Sequence, residues 1–247
     1  MAKLSVNVNK IATLRNARGG DAPSVLEAVS VCVDAGAPGI TIHPREDERH
    51  IRADDIREIA EFLAPRREAV EFNIEGDPRP ALIDKVLEIQ PHQCTLVPVR
   101  PGEITSEAGW SPATDTAVLD PVVRQLKAAG IRTSVFVEAN AEAIAWAAAV
   151  GADRVELYTE PYARAYGSPA QAAELARYAE ASAQAGELGL GVNAGHDLDL
   201  ENLAAFLDGV PGVDEVSIGH ALISAAIFEG LAPTVGRYLE ITRRFLG

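Results

Sequence analysis

The stretch IRTSVFVEANAEAIAWAAAVGADRVELYT, residues 131–159, contains two strands and one helix in the order that decides the fold. Residues 132–138 and 154–159 are rich in β-branched and aromatic side chains, as is typical of buried strands. The alanine-rich residues 140–149 between them favour a helix, and the valine–glycine pair that follows is a helix stop. This order predicts two parallel strands joined by a helix.

The same alternation continues along the whole chain. The predicted strands cover residues 3–9, 39–43, 69–75, 93–97, 132–138, 154–159, 189–194 and 213–218. A predicted helix follows each strand, and one further helix is predicted over residues 233–245. Eight such units without a linker predict a single α/β domain over residues 1–247, a (β/α)8 TIM barrel with an extra C-terminal helix. A doubly wound sheet is the alternative, although no Gly-x-Gly-x-x-Gly motif follows the first strand.

Composition limits the classes of protein that fit the chain. Its 47% of hydrophobic residues allow a sizeable core, and no apolar run reaches the length of a membrane span. The net charge of −14 argues against a nucleic-acid surface, because phosphate backbones attract basic patches. Met1 leads into the first strand without a signal-peptide pattern, and Cys32 and Cys94 lie in apolar stretches. We therefore expect a soluble cytoplasmic protein that binds neither nucleic acid nor a membrane.

Polar residues gather where the predicted strands end. In a (β/α)8 barrel the loops after the strands converge on one mouth, where the active site lies. Residues in or near these positions are Asn7, Asn9, Lys10, Arg18, His43, Arg45, His50, Glu75, Thr105, Glu156, Asn193, His196, Gly219 and His220. Four of the five histidines are among them, and His92 is the exception. Because histidine titrates near neutral pH, this convergence favours acid–base catalysis over isolated structural histidines.

Three places in the sequence indicate phosphate binding: two loops that contain arginine, and a glycine that precedes a predicted helix. Residues 45–52, taken alone, are typical of a solvated loop with weak salt bridges. Because it follows the strand-end His43, Arg45 suits bidentate binding of a phosphate, and so does Arg18 in RNARGG. Gly219 precedes a predicted helix, whose N-terminal amides can bind an anion at a frequent phosphate position of barrels.

Glu75 and Glu156 are acidic residues inside apolar strands. A carboxylate that faces a barrel interior is unfavourable unless it is paired, and burial raises its pKa into the range of a general base. Either glutamate can instead face outward or form an ion pair with a structural arginine. From the strand context alone, both interpretations stay open.

Several motifs, taken together, resemble those of a known enzyme family. They are VNVNKIATLRNARGG, GITIHPREDERHI, FNIEG, CTLVP followed by ITSEAGW, VELYTEPYA, VNAGHDL and IGHALI. In this order they resemble the pyridoxine 5′-phosphate synthase family over nearly the whole chain. The resemblance implies condensation of 3-amino-2-oxopropyl phosphate with 1-deoxy-D-xylulose 5-phosphate, giving pyridoxine 5′-phosphate, phosphate and water. It also implies a homo-octamer that uses no metal and no organic cofactor.

The resemblance implies roles for individual residues. His43 and Glu75 match the family's two general bases, and His196 matches its general acid. Glu156 matches a residue that stabilises the transition state. The family's contacts to the amino-ketone phosphate match Asn7, Arg18, Gly219 and His220, and its contacts to the sugar phosphate match Arg45, His50 and Thr105.

Two places depart from the pattern of many family members. Asp197, which matches a backbone contact to substrate, stands where many members have glycine. Asn9 and Lys10 stand where many members have an Asp-His pair that contacts the sugar phosphate. The Lys10 ammonium can supply a positive charge in place of that imidazole.

Three other functions fit parts of the pattern. A class I aldolase-like barrel would form an imine on a strand-end lysine, and Lys10 is the candidate. A metal-dependent hydrolase would use His43, His50, His196 and His220 as ligands, although they lack the spacing of a paired-histidine motif. A catalytically inactive sugar-phosphate sensor would keep the phosphate-binding groups without needing the acid–base residues.

Overall fold

The computed structural model describes residues 2–98 and 108–245, whose strands form a closed parallel barrel. The described strands are β1 (Lys3–Asn7), β2 (Gly39–Ile42), β3 (Glu71–Gly76), β4 (Gln93–Leu96), β5 (Arg132–Val137), β6 (Arg154–Leu157), β7 (Gly191–Gly195) and β8 (Val213–Ile218). They pair in chain order, and β8 closes the barrel against β1. The prediction of an α/β TIM barrel is therefore confirmed, and the doubly wound alternative is wrong.

Helices surround this barrel. The α-helices of the described residues are α1 (Asn9–Asn16), α2 (Val25–Asp34), α3 (Ala53–Leu63), α4 (Pro80–Ile89), α5 (Asp120–Ala128), α6 (Ala141–Val150), α7 (Glu160–Ala165), α8 (Gln171–Glu187), α9 (Leu203–Gly209), α10 (His220–Glu229) and α11 (Leu231–Arg243). The predicted extra C-terminal helix is α11, which packs against α10 and α2. Within the described ranges, no helix has both the length and the apolar character needed to cross a membrane.

The unit formed by β5, α6 and β6 shows why the quoted stretch folds as it does. The Asn140 side chain caps α6 by accepting a hydrogen bond of 2.9 Å from the Ala143 backbone N–H. The helix ends at Gly151, whose φ of 81° is a left-handed conformation that glycine adopts without steric cost. Asn140 and Gly151 thus limit α6 to the length that returns the chain to a parallel strand.

The structure differs from the prediction after β1 and after β6. The first strand ends at Asn7 because the Asn7 side chain accepts a hydrogen bond of 3.1 Å from the Asn9 backbone N–H and turns the chain. Helix α1 then follows, where the sequence had indicated only an extended strand and a loop. Helix α7 was also missed. Its six residues and the eight of α1 are too few to give a clear helical period.

The barrel interior is polar, whereas the layer between barrel and helices is apolar. Ser5 and Thr41 share a hydrogen bond of 2.7 Å, and Thr95 donates one of 3.1 Å to Asn73. The strand neighbours of these polar residues, such as Ile40 beside Thr41 and Ile74 beside Asn73, are fully buried in the apolar core. Because side chains alternate along a strand, Glu75 faces the interior together with Asn73.

Candidate active site

A cavity of about 300 Å³ opens where the strands end. It is lined by Asn7, Asn9, Lys10, His43, Arg45, His50, Glu75, Val97, Phe136, Glu156, His196, Asp197, Ser217, Gly219 and His220. Every predicted site residue within residues 2–98 and 108–245 lines it, except Arg18 and the strand-end Asn193. Arg18 is exposed and lies against a separate surface depression with Leu14 and Pro23. Thr105 lies outside the described residues.

His43 and Glu75 form a buried pair at the floor of this cavity. His43 Nδ1 lies 3.7 Å from Glu75 Oε2, and both side chains are about nine-tenths buried. Burial and the Arg45 charge lower the pKa of His43 well below its ordinary value. Burial and the Glu215 carboxylate raise the pKa of Glu75 to about 8. At neutral pH the pair is therefore a neutral imidazole beside a protonated carboxyl group, and either group can exchange a proton with a ligand.

Asn9 and Asn7 hold this pair in place. The Asn9 Oδ1 accepts a hydrogen bond of 2.9 Å from the His43 backbone N–H, which fixes the position where β2 ends. The Asn7 side-chain amide points at Glu75, with 3.5 Å between Nδ2 and Oε2. His43 Nε2 is buried without a hydrogen-bond partner among the described residues, so it is a nitrogen that a ligand in the cavity can satisfy.

Three carboxyl groups share the barrel interior. They belong to Glu75 on β3, Glu156 on β6 and Glu215 on β8, and each is at least 93% buried. Burial, followed by the charges of Glu75 and Glu215, raises the pKa of Glu156 well above its ordinary value. Glu215 instead lies 3.9 Å from the guanidinium of Arg154. The outward-facing interpretation of Glu75 and Glu156 is therefore wrong, because both line the cavity.

His196 directly follows β7 and lines the cavity beside two aromatic rings. Its Nδ1 lies 2.7 Å from Asp197 Oδ2. The ring packs at 5.7 Å from the Tyr158 ring and at 6.4 Å from the Phe136 ring, measured between centroids. The backbone φ of 37° at His196 is left-handed, which is uncommon for a residue with a side chain and frequent near functional sites.

Arg45 and Lys10 form the positively charged side of the cavity, and the His50 ring lies on the same side. The His50 ring is fixed, because Nδ1 accepts a hydrogen bond of 3.0 Å from the Ile51 backbone N–H. This contact leaves the proton on Nε2, so His50 is a hydrogen-bond donor while it is neutral. Burial and the nearby Arg45 charge lower the pKa of His50 to about 4. These three side chains together suit a bound phosphate.

Gly219 and His220 line another corner of the cavity, where β8 meets α10, and this corner suits an anion. Gly219 immediately precedes α10, so the backbone N–H groups of the first turn are available to an anion. A Cβ atom at Gly219 would lie 3.1 Å from the Asn7 Cβ, which leaves no comfortable space for a side chain. Glycine thus lets the backbone approach both Asn7 and the cavity.

Three lining residues were not predicted, namely Val97, Phe136 and Ser217. Ser217 lies two residues after Glu215 on β8, so strand alternation directs it to the interior, and its hydroxyl bonds to Glu75. Phe136 lies in the apolar strand β5 and Val97 directly follows β4, and nothing in their sequence context distinguishes them from core residues.

The histidines do not assemble into a metal-binding group in the part of the chain that the structure describes. No set of three or more His, Cys, Asp or Glu side chains lies close enough there to hold a metal ion. His43 and His50 meet edge to face, with ring centroids 6.1 Å apart, rather than sharing a point of coordination.

A closed (β/α)8 barrel with histidines, glutamates and cationic side chains at its mouth is the arrangement of a TIM-barrel enzyme. The chain belongs to the family described as pyridoxal phosphate biosynthesis protein PdxJ, whose model matches residues 4–244. The resemblance seen in the sequence motifs is thereby confirmed.

Relatives and a solved structure agree with this family and this fold. The chain is 54% identical over 243 residues to the pyridoxine 5′-phosphate synthase of Bacteroides thetaiotaomicron, covering 98% of this chain and 100% of the relative. It is 52% identical to the synthase of Albidiferax ferrireducens, covering 96% of each. The thiamine phosphate pyrophosphorylase structure from Pyrococcus furiosus shares the fold alone, with a TM-score of 0.65 and 16% identity, covering 99% of this chain and 97% of that one.

Proposed function

We propose that this chain is a pyridoxine 5′-phosphate synthase. It condenses 3-amino-2-oxopropyl phosphate with 1-deoxy-D-xylulose 5-phosphate and releases pyridoxine 5′-phosphate, inorganic phosphate and water. The observation that carries the proposal is the convergence of His43, Glu75, Glu156 and His196 on one cavity in a member of this family. Joining an amine to a ketone and closing an aromatic ring requires repeated proton transfers, which such groups can perform without a metal or an organic cofactor.

The electrostatics of the cavity support a different catalytic role for each of these groups. A neutral His43 can accept a proton, because its pKa is lowered. Glu75, with a pKa of about 8, is protonated in most molecules at neutral pH and acts as the second base in its ionised form. His196 at the rim donates protons to leaving oxygens. Glu156 hydrogen-bonds to substrate groups whose charge changes in the transition state.

Two anion sites accommodate the two substrate phosphates. Asn7, Gly219 and His220 bind the amino-ketone phosphate at the N-terminus of α10. Arg45 and His50 bind the sugar phosphate, and Lys10 with Asn9 completes that side of the cavity. Arg18 and Thr105 are assigned to the first and second phosphate, respectively, on the family resemblance alone.

The experiment that tests this function supplies both substrates to the purified protein. We expect release of inorganic phosphate together with a product that has pyridinol absorbance. Either substrate alone, with the same protein, is the control and should give no pyridinol product. Absence of turnover with both pure substrates would show that the proposed function is wrong.

A class I aldolase-like mechanism is the second candidate, because Lys10 does line the cavity. In that mechanism a substrate carbonyl forms an imine with the Lys10 ammonium group after loss of its proton. Borohydride trapping with each substrate, followed by intact mass measurement, distinguishes the two. The synthase brings its own amine, so we expect no adduct on Lys10.

The proposal also covers the domain organisation, the location and the oligomeric state of the protein. The chain acts as one barrel domain over residues 1–247 in the cytoplasm, and it assembles into the homo-octamer that the family resemblance implies. Large apolar side chains on the outer surface of α10 support association, since Ile227 is 69% exposed and Phe228 is 90% exposed.

A further inference from the structure

Asp197 is the side chain that holds the ring of the proposed acid His196. Asp197 Oδ2 lies 2.7 Å from His196 Nδ1, which is the length of a strong, charge-assisted hydrogen bond. The two residues are adjacent in the chain, and their side chains meet at the turn where His196 has its positive φ. Both side chains line the cavity, with 33% and 38% of their surfaces exposed.

The surroundings of this pair leave one ring nitrogen for a ligand. Tyr158 and Phe136 pack against the His196 ring, while Asp197 occupies Nδ1. The backbone of Asp197 is itself anchored, because its carbonyl accepts a hydrogen bond of 3.2 Å from the side chain of the buried Asn202. Nε2 is therefore the nitrogen of His196 that can reach a substrate in the cavity.

We infer, on the basis of the proposed function, that Asp197 is a positioning residue for His196. Its carboxylate accepts the Nδ1–H and thereby fixes both the tautomer and the direction of the ring. The proton that His196 donates is then always carried on Nε2. This role differs from a backbone contact to substrate, which is what the family resemblance implies for the position.

In a dehydration step, His196 is the proton donor. The Nε2 proton of the imidazolium passes to the leaving hydroxyl oxygen while the C–O bond breaks, and water departs with the electron pair of that bond. A basic group across the cavity takes the proton from the neighbouring carbon as the C=C bond forms. His196 is left neutral with its Nδ1–H still directed at Asp197, and no proton moves to the carboxylate.

Asp197→Asn tests this role without changing the size of the side chain. The carboxylate is lost, and the new amide can donate to Nδ1, which favours the opposite tautomer. We expect kcat to fall by about 10- to 100-fold, a part of what a general acid contributes, with little change in either KM. Asp197→Glu should restore part of kcat, and Asp208→Asn, on the exposed face of α9, should leave it unchanged.

The tautomer itself gives a second readout that does not need turnover. The chain has five histidines, so long-range proton–nitrogen spectra of histidine-labelled protein can be assigned with a His196→Gln variant. We expect the neutral His196 ring of the wild type to carry its proton on Nδ1, and Asp197→Asn to move it toward Nε2. An Nε2-protonated neutral ring in the wild type would overturn the inference, as would an unchanged kcat in Asp197→Asn. An inactive wild type would instead refute the proposed function, while the spectra would still decide the role of Asp197.

Discussion

Burial favours the uncharged form of both Glu75 and His43, so at neutral pH Glu75 is protonated, whereas a glutamate in water is ionised, and His43 is neutral. Burial raises the pKa of Glu75 to about 8 and lowers the pKa of His43 well below its ordinary value. Both shifts come from the same cause, since a charged group loses its hydration inside the barrel. The result is a pair of groups that can exchange protons with a substrate at neutral pH.

Glu75→Gln should abolish condensation while leaving phosphate binding almost intact. Glutamine keeps the shape of the side chain but cannot take up a proton, so kcat should fall by about 10²- to 10⁴-fold. Steady-state kinetics and titration with inorganic phosphate measure the two effects separately. Glu58→Gln, on the exposed face of α3, is the matched control. Normal turnover in Glu75→Gln would exclude Glu75 as a base.

The raised pKa of Glu75 also predicts how stability depends on pH. In the unfolded chain the carboxyl group ionises near its ordinary value of 4.5, whereas in the folded protein it keeps its proton until about pH 8. The unfolded state therefore binds fewer protons across this window, and the free energy of unfolding should fall as pH rises through it. Urea unfolding at about pH 5 and about pH 8 should show a smaller fall for Glu75→Gln than for wild type. An equal fall in the free energy of unfolding for the two proteins would contradict the raised pKa of Glu75.

Strand alternation and strand ends made most of the site residues predictable from the sequence. They gave His43, Glu75 and His196 without a structure, because polar residues at the ends of apolar strands converge in a barrel. The contact between Asp197 and His196 was not predictable, since it depends on a left-handed backbone conformation at His196. Arg18 was expected in the cavity but lies outside it, exposed in the turn that follows α1.

At the scale of elements, a buried ion pair connects α1 to α3 and holds the loop that carries His50. Arg15 donates to the Asp55 carboxylate at 2.9 Å and to the His50 backbone carbonyl at 3.1 Å. Asn16 donates to the same carbonyl at 2.8 Å. The position of the proposed sugar-phosphate site thus depends on α1 and α3. The residues of these helices that hold the loop, Arg15, Asn16 and Asp55, do not themselves line the cavity.

Arg15→Met should loosen this loop and destabilise the fold. It leaves the buried Asp55 carboxylate with its hydrogen bond from the Arg52 backbone N–H but without its ion pair. We expect a loss of about 3 kcal/mol in the free energy of unfolding. We also expect a higher KM for the sugar phosphate, measured in the substrate assay.

The control for this prediction is an ion pair on an exposed helix face. Arg124 pairs with Asp120 on α5, and Arg124→Met should change neither stability nor KM noticeably, since exposed pairs contribute little. If Arg15→Met behaved like Arg124→Met, the structural role of the buried pair would be refuted.

The strands and longer helices were predictable, whereas the short helices were not. The eight strands could be predicted because each is a β-branched run close to a helix stop. Helix α11 could be predicted because it is long enough to show a helical pattern. Helix α1 was not predicted, because its residues are largely polar and because the turn at Asn7, which precedes it, was not recognised. The polar interior of the barrel also required the structure, because only the closed sheet shows which face of each strand points inward.

The charge and surface of the whole molecule constrain how it works and assembles. The chain carries a net charge of −14, yet the cavity gathers Lys10 and Arg45 where anionic substrates are proposed to bind. A local positive site in a negative protein binds small phosphates and disfavours nucleic acids. On the opposite end of α10 from the anion site, Phe228 leaves an apolar ring exposed.

Association through this surface should depend on Phe228. We expect light scattering to give the mass of an octamer for the wild type, and Phe228→Ser to lower it because the exposed ring is then lost from the contact. Leu188→Ser, at a residue 47% exposed elsewhere on the surface, is the matched control. A wild-type mass of one 26.2-kDa chain would contradict the assembly.

The central claim is that both phosphorylated substrates react in the cavity between His43, Glu75, Glu156 and His196. A crystal structure with pyridoxine 5′-phosphate and inorganic phosphate bound tests it most directly. The account predicts the ring beside Glu75 and His43, one phosphate group at the N-terminus of α10 and the other against Arg45 and His50. Product bound elsewhere, or both phosphate groups outside this cavity, would contradict it.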